Sequence, residues 1–227
     1  YQQVVGWFGR EATAAGFPGI RGTVAMAPFD TLSDALRGTR GIIMDIYRQP
    51  DNVLKAVDMI ADFCIENTVA SANMMGAVNV TFPLHKGDDT FMSDAQFSAF
   101  YWPSLLKVIR GLVNEGLMVT LFAEGKYNNR LEQVRDVPPG WVVWHFDQTD
   151  MVRAKKALGE TCCLAGNVPT SLMCTGTPEQ VKEHCRKLIE NCAPGGGYLL
   201  TGGASATDVK AKNLHAMFEA AVEFGKY

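Results

Sequence analysis

No stretch of this 227-residue chain approaches the roughly 18 uninterrupted apolar residues of a membrane span. No run of Lys or Arg supplies a basic footprint, and the formal net charge is -3, so nucleic acid is not an expected partner. The six cysteines are scattered, with no CxxC pair. A chain of this length does not depend on disulfide staples, so the expectation is reduced thiols in a cytoplasmic protein. Linkers and low-complexity segments are lacking, which predicts one domain over 1–227. The first residue is Tyr1, with no start methionine or signal-peptide pattern, so the expectation is a fragment lacking an N-terminal portion.

What is present is apolar patterning. Hydrophobic residues make up 47% of the chain, enough for a large core. Two short runs carry the most information. Leu117-Met-Val-Thr-Leu-Phe-Ala-Glu124-Gly125 and Trp141-Val-Val-Trp-His145-Phe-Asp147 are each apolar and end in polar residues. Continuous apolar runs of this length read as strands covered on both faces. Side chains alternate across a strand, so Thr120, Phe122 and Glu124 share one face, and Val143, His145 and Asp147 share another. Glu124, His145 and Asp147 thus sit at the C-terminal ends of neighbouring strands, the edge where α/β barrels do their chemistry.

Strand and helix patterns alternate from residue 22 onward. Strands are expected at Thr23–Ala27, Gly76–Phe82, the two runs above, Thr161–Asn167 and Gly197–Thr201. Pro28 and Pro83 are expected to end the first two. Helices are expected from Thr31, after Pro50, from Ser93 to Leu112, over 150–158, from Thr177 and over 210–224. Ser93-Asp-Ala-Gln96 and Thr177-Pro-Glu-Gln180 are capping boxes. Lys126 and Arg130 are read at the start of a helix, as solvated charges. Six strands each followed by helix imply a parallel sheet. The Gly-rich phosphate fingerprint of an open doubly wound sheet is absent.

The order of motifs is more specific. Ala27-Pro28-Phe29, Phe122-Ala-Glu-Gly125, Phe146-Asp147, Leu164-Ala-Gly-Asn167 and Gly197-Tyr-Leu-Leu-Thr-Gly-Gly203 occur in sequence. Thr177-Pro-Glu-Gln-Val181 and Lys212-Asn-Leu-His-Ala-Met217 accompany them. The chain resembles the uroporphyrinogen decarboxylase superfamily, which contains the decarboxylase and corrinoid-linked methyltransferases. The resemblance implies a (β/α)8 TIM barrel of which this chain covers about strands three to eight. The decarboxylase's later functional Tyr, Ser and His would fall near Ala35, Leu84 and Ala204, where nothing matches. In coenzyme M methyltransferases of the superfamily a zinc His-x-Cys would fall at Phe122-Ala-Glu124, where both ligands are replaced. Ether-cleaving O-demethylases resemble the chain differently. Their proposed zinc motif separates Glu and His by twenty residues, as Glu124 and His145 are separated here; its first Glu would fall at Ile109.

A methyl ether or thioether is a poor electrophile, so its heteroatom must be polarised by a Lewis acid or a proton donor. The resemblance implies a methyltransferase acting between a small methylated compound, such as a methoxyaromatic, and a corrinoid protein. The resemblance implies zinc held by Glu124 and His145, with Asp147 and Asn167 as catalytic residues. His85, Phe122, Gly202 and Gly203 would contact substrate, His85 being an alternative ligand. Against this stands a purely structural role. Asp147 and Glu124 can hold loops, His145 can be a satisfied core residue, and Asn167, Gly202 and Gly203 can serve turns. Two other functions remain open, a decarboxylase-like lyase and a non-catalytic binding barrel. A homo-oligomer is also open.

Overall fold

The computed structural model describes residues 2–16, 22–204 and 208–226. Six strands form a parallel sheet: β1 (Gly22–Val24), β2 (Asn79–Leu84), β3 (Met118–Ala123), β4 (Val142–Phe146), β5 (Cys163–Ala165) and β6 (Tyr198–Leu199). Their spatial order is β1-β2-β3-β4-β5-β6, so each new strand is added on the same side. A doubly wound sheet reverses direction at a switch point. This one does not, and it forms an arc of a (β/α)8 barrel.

Ten α-helices accompany the strands among the described residues: α1 (Gln2–Ala14), α2 (Pro28–Asp30), α3 (Thr39–Arg48), α4 (Pro50–Met75), α5 (Asp94–Gln96), α6 (Trp102–Asn114), α7 (Met151–Leu158), α8 (Thr170–Thr175), α9 (Pro178–Cys192) and α10 (Ala211–Phe224). No helix among the described residues is long and apolar enough to cross a membrane. Two stretches, Thr31–Arg37 and Phe97–Tyr101, are wound as π-helix. Both expected capping boxes form, at Ser93 and Thr177, each satisfying two orphan N–H groups.

The alternating burial of β3 and β4 explains the two apolar runs. Val119, Leu121, Ala123, Trp144 and Phe146 are fully buried beneath the helices. Trp144 stacks on Phe146 with ring centroids 5.5 Å apart. The opposite face, the concave inside of the arc, carries Thr120, Phe122, Val143 and His145, all half-buried. Register pairs Phe122 with His145, so the two lie side by side on that inner face. Cys163 follows on the same face, level with Val143, while Cys162 is buried on the other side.

Several local expectations change. Pro83 does not end β2 but lies inside it. Ala25 N donates to Thr81 O, so Thr81 and Pro83 face β1, and β1 has already ended at that level. The missing N–H of Pro83 therefore breaks no ladder bond. Gly76 is not the start of a strand; it caps α4 in the left-handed conformation. Pro50 is itself the first residue of α4, where a missing N–H costs nothing. Helices α1, α3 and α8 were not anticipated. The segment after β3 is a series of turns rather than a helix, because Arg130 turns inward from it.

Candidate active site at the mouth of the arc

The chain leaves β1 through Ala27-Pro28-Phe29-Asp30. Pro28 opens α2, and Phe29 and Asp30 are driven into the core. Asp30 is fully buried. Its Oδ2 accepts from the Tyr101 hydroxyl at 2.8 Å and from the backbone N of His85 at 3.0 Å. Its Oδ1 accepts from the backbone N of Lys86 at 3.1 Å. Burial pushes the Asp30 carboxyl up to about 6, and these three donors only partly offset it. One carboxylate thereby clamps the loop after β2 to the loop after β1.

The clamp sets the position of His85. Its Nδ1 lies 2.7 Å from Oδ2 of Asp34, which the π-wound turn after α2 presents. Asp34 also accepts from the Ser33 hydroxyl at 3.0 Å and pairs with Lys86 at 3.1 Å. Partial burial pushes Asp34 up, but the bonds from His85, Lys86 and Ser33 outweigh it and hold the carboxyl below its ordinary range. For His85 burial acts downward. The Asp34 bond and the charges of Asp30, Glu124 and Asp34 overcome it, and its titration lies above that of an ordinary histidine.

His85 and Glu124 line one cleft of about 540 Å³ at the C-terminal ends of β2 to β4, together with Phe91, Gly125, Lys126 and Gln148. Gly125 has φ +80°, and a side chain there would run into Asp88. Lys126 N donates to Asp88 Oδ2 at 2.6 Å, which ties the far wall of the cleft down.

The other expected residues are placed differently. His145 lies deeper on the inner face. Its Nε2 is 2.7 Å from the carbonyl of Gly202, to which it donates, and its ring sits 4.7 Å from that of Phe122. Asp147 accepts from the backbone N of Gly125 and from Gln148, both at 3.1 Å, and so joins the loops after β3 and β4. Gly203 packs against Asp147; a Cβ there would come within 2.7 Å of its carbonyl oxygen. Asn167 donates to the carbonyl of Thr149 at 2.7 Å, pinning the loop after β4. Gly202 and Gly203 give close backbone approach, but to His145 and Asp147.

Glu124 and His145 are not joined by a third donor. Among the described residues no three His, Cys, Asp or Glu side chains group as a metal site. A zinc site needs three such ligands around an open position, so the donor set does not fit zinc as these side chains stand.

Arg130, expected at the surface, is fully buried. It forks to Asp94 and to the carbonyl of Met92 (2.6 Å), and its Cζ lies 4.6 Å from the centre of the Phe97 ring. It locks the loop that forms one wall of the cleft. Asp30 and Asp34 carried no expected role. The available signal was an acid directly after Pro28-Phe29, in a segment otherwise apolar enough to be buried.

The uroporphyrinogen decarboxylase (URO-D) family matches residues 21–224. The chain is 24% identical over 185 residues to a uroporphyrinogen decarboxylase from Pseudoalteromonas translucida (strain TAC 125), covering 78% of this chain and 50% of that protein. It thus spans half the length of this curated relative. In fold it is similar to a methyltransferase from Methanosarcina mazei, with a TM-score of 0.77 at 18% identity. That likeness covers 92% of this chain and 60% of the other. With the motif order, the single winding direction of the sheet and a family match across nearly its whole length, the chain belongs to the uroporphyrinogen decarboxylase family.

Proposed function

We propose that this chain carries the reaction cleft of a methyltransferase, which removes a methyl group from a small methylated compound, a methoxyaromatic being the first choice, and passes it to a corrinoid protein. The observation that carries this reading is the cleft itself. An imidazole, His85, is held beside a carboxylate, Glu124, in a space sized for a small molecule. The alternative, decarboxylation of a tetrapyrrole bearing many acids, is disfavoured by the three positions where the resemblance puts a polar contact. Leu84, where the resemblance puts a serine, is fully buried beneath the helices. Ala35 and Ala204 bring no polar side chain.

The donor set does not fit zinc. The chain's own groups must then polarise the leaving heteroatom, and the cleft walls must orient the donor. Phe91 supplies an apolar surface for an aromatic ring, and Lys126 and Gln148 supply polar ends.

The test is a panel of methyl donors (methoxyaromatics, methylamines and methyl thioethers) offered with chemically reduced cobalamin as acceptor. The change in cobalamin absorbance reports transfer. Turnover of one donor class, abolished in Glu124→Ala, supports the reading. Release of carbon dioxide from uroporphyrinogen, with no methyl transfer, replaces it with the lyase. Neither activity, with a ligand still bound in the cleft, leaves a binding barrel.

A further inference from the structure

We propose that His85 and Asp34 form an acid–base dyad, in which Nε2 of His85 gives its proton to the leaving heteroatom of a methyl donor bound in the cleft. This rests on the methyl-transfer reading above and names the group that does the polarising.

The geometry supplies three requirements. The first is direction. Nδ1 of His85 is committed to Asp34 at 2.7 Å, so only Nε2 is available, and it has no protein partner among the described residues. The second is rigidity. Asp34 is braced by Ser33 and Lys86, and the His85 backbone is tied to Asp30, so ring and main chain are fixed from separate sides. An orienting carboxylate behind an imidazole fixes the tautomer and stabilises the imidazolium. The third is charge. Asp30, Asp34 and Glu124 act on His85; Lys86, paired with the other oxygen of Asp34, and Asp88 and Lys126, on the walls of the same cleft, are the other charged groups around it. The three acids favour the protonated, donating form of the imidazole.

The step balances as follows. The bond between the methyl carbon and its oxygen or sulfur breaks. The acceptor nucleophile, a reduced corrinoid on the reading above, supplies the electron pair that forms the new bond to carbon. The heteroatom keeps the old bonding pair and takes the proton from Nε2. His85 is left neutral with its proton on Nδ1, directed at Asp34, and water in the open cleft reprotonates Nε2. His85 is the catalytic residue; Asp34 is a positioning residue that acts through it.

The test separates the dyad from an ordinary histidine–aspartate pair. Long-range proton–nitrogen spectra of the intact protein follow the imidazole of His85. The dyad requires titration above an ordinary histidine, a neutral form protonated at Nδ1, and a downward shift in Asp34→Asn that Asp34→Glu largely reverses. Titration at the ordinary value, unmoved by Asp34→Asn, overturns it.

Kinetics give the second arm. A donor whose leaving group is a weakly acidic phenol needs protonation; a nitro-substituted methoxyaromatic does not. His85→Gln is expected to slow the first by roughly 10²–10⁴-fold and the second far less. Equal losses for both donors overturn the acid role. If the wild type transfers no methyl from any donor, the methyl-transfer reading fails, and with it the assigned step, while the spectra still decide whether the dyad exists.

Discussion

The hydroxyl of Tyr101 donates to Oδ2 of Asp30 at 2.8 Å, and both side chains are buried. Tyr101 comes from the π-wound entry to α6 and Asp30 from the exit of β1, so this bond crosses the mouth of the arc. The same carboxylate holds the backbone of His85 and Lys86, which places it behind the cleft rather than in it.

Asp30 is expected to make stability depend on pH. Its carboxyl is pushed by burial from near 4 to about 6, so the folded state prefers the protonated form. The sign follows: its contribution is complete below about pH 4 and is lost as pH rises through about 6. The loss is on the order of 2–3 kcal/mol. Urea unfolding at pH 4.5 and 7 in wild type and Asp30→Asn measures it as the difference between the two slopes. Parallel slopes would show that Asp30 titrates normally.

Gly87→Ala should destabilise by about 1–3 kcal/mol. A Cβ there would overlap the hydroxyl of Tyr127 and come within 3.0 Å of the Tyr101 ring. Neither ring can yield, as both are fully buried. The urea midpoint checks this, and an unchanged midpoint would show that the loop can shift.

Arg130→Met should cost about 3–5 kcal/mol, because the nearly buried Asp89 loses its cation and the carbonyl of Met92 is orphaned, while Asp94 is largely exposed. Arg130→Lys should recover little, since an ammonium cannot fork between a carboxylate and a carbonyl. Thermal unfolding of both variants provides the comparison.

Glu124→Ala and His145→Ala should leave the zinc content of the purified protein unchanged. His145→Ala should instead lower stability by about 1–2 kcal/mol, because the Gly202 carbonyl loses its donor. Loss of one zinc equivalent in both variants would restore the two residues as a metal pair.

Much of the fold was legible. The strands that span the centre of the sheet, the two capping boxes and α7 follow from residue periodicity and from short-range bonds that operate within four residues. Helix α3 was not, because Gly41 and the run Ile42-Ile43-Met44 fit no single period. The site was legible only in part. Glu124 and His85 could be placed at strand ends. That His145 turns to Gly202, 57 residues away, depends on a register that no local pattern encodes.

By itself the sequence determined the alternation of strand and helix, the strand character of the β3 and β4 runs, and the family. These depend on periodicity and motif order, which are properties of neighbours along the chain. Only the tertiary structure decided that just one face of those strands is fully buried, and how the polar side chains group. It buried Arg130 and Asp30, sent His145 to a backbone carbonyl, and brought Asp34 to His85 across 51 positions. The physical reason is the cost of burying polar groups. A polar group withdrawn from water must find a partner, and it takes whichever one packing brings within hydrogen-bond reach.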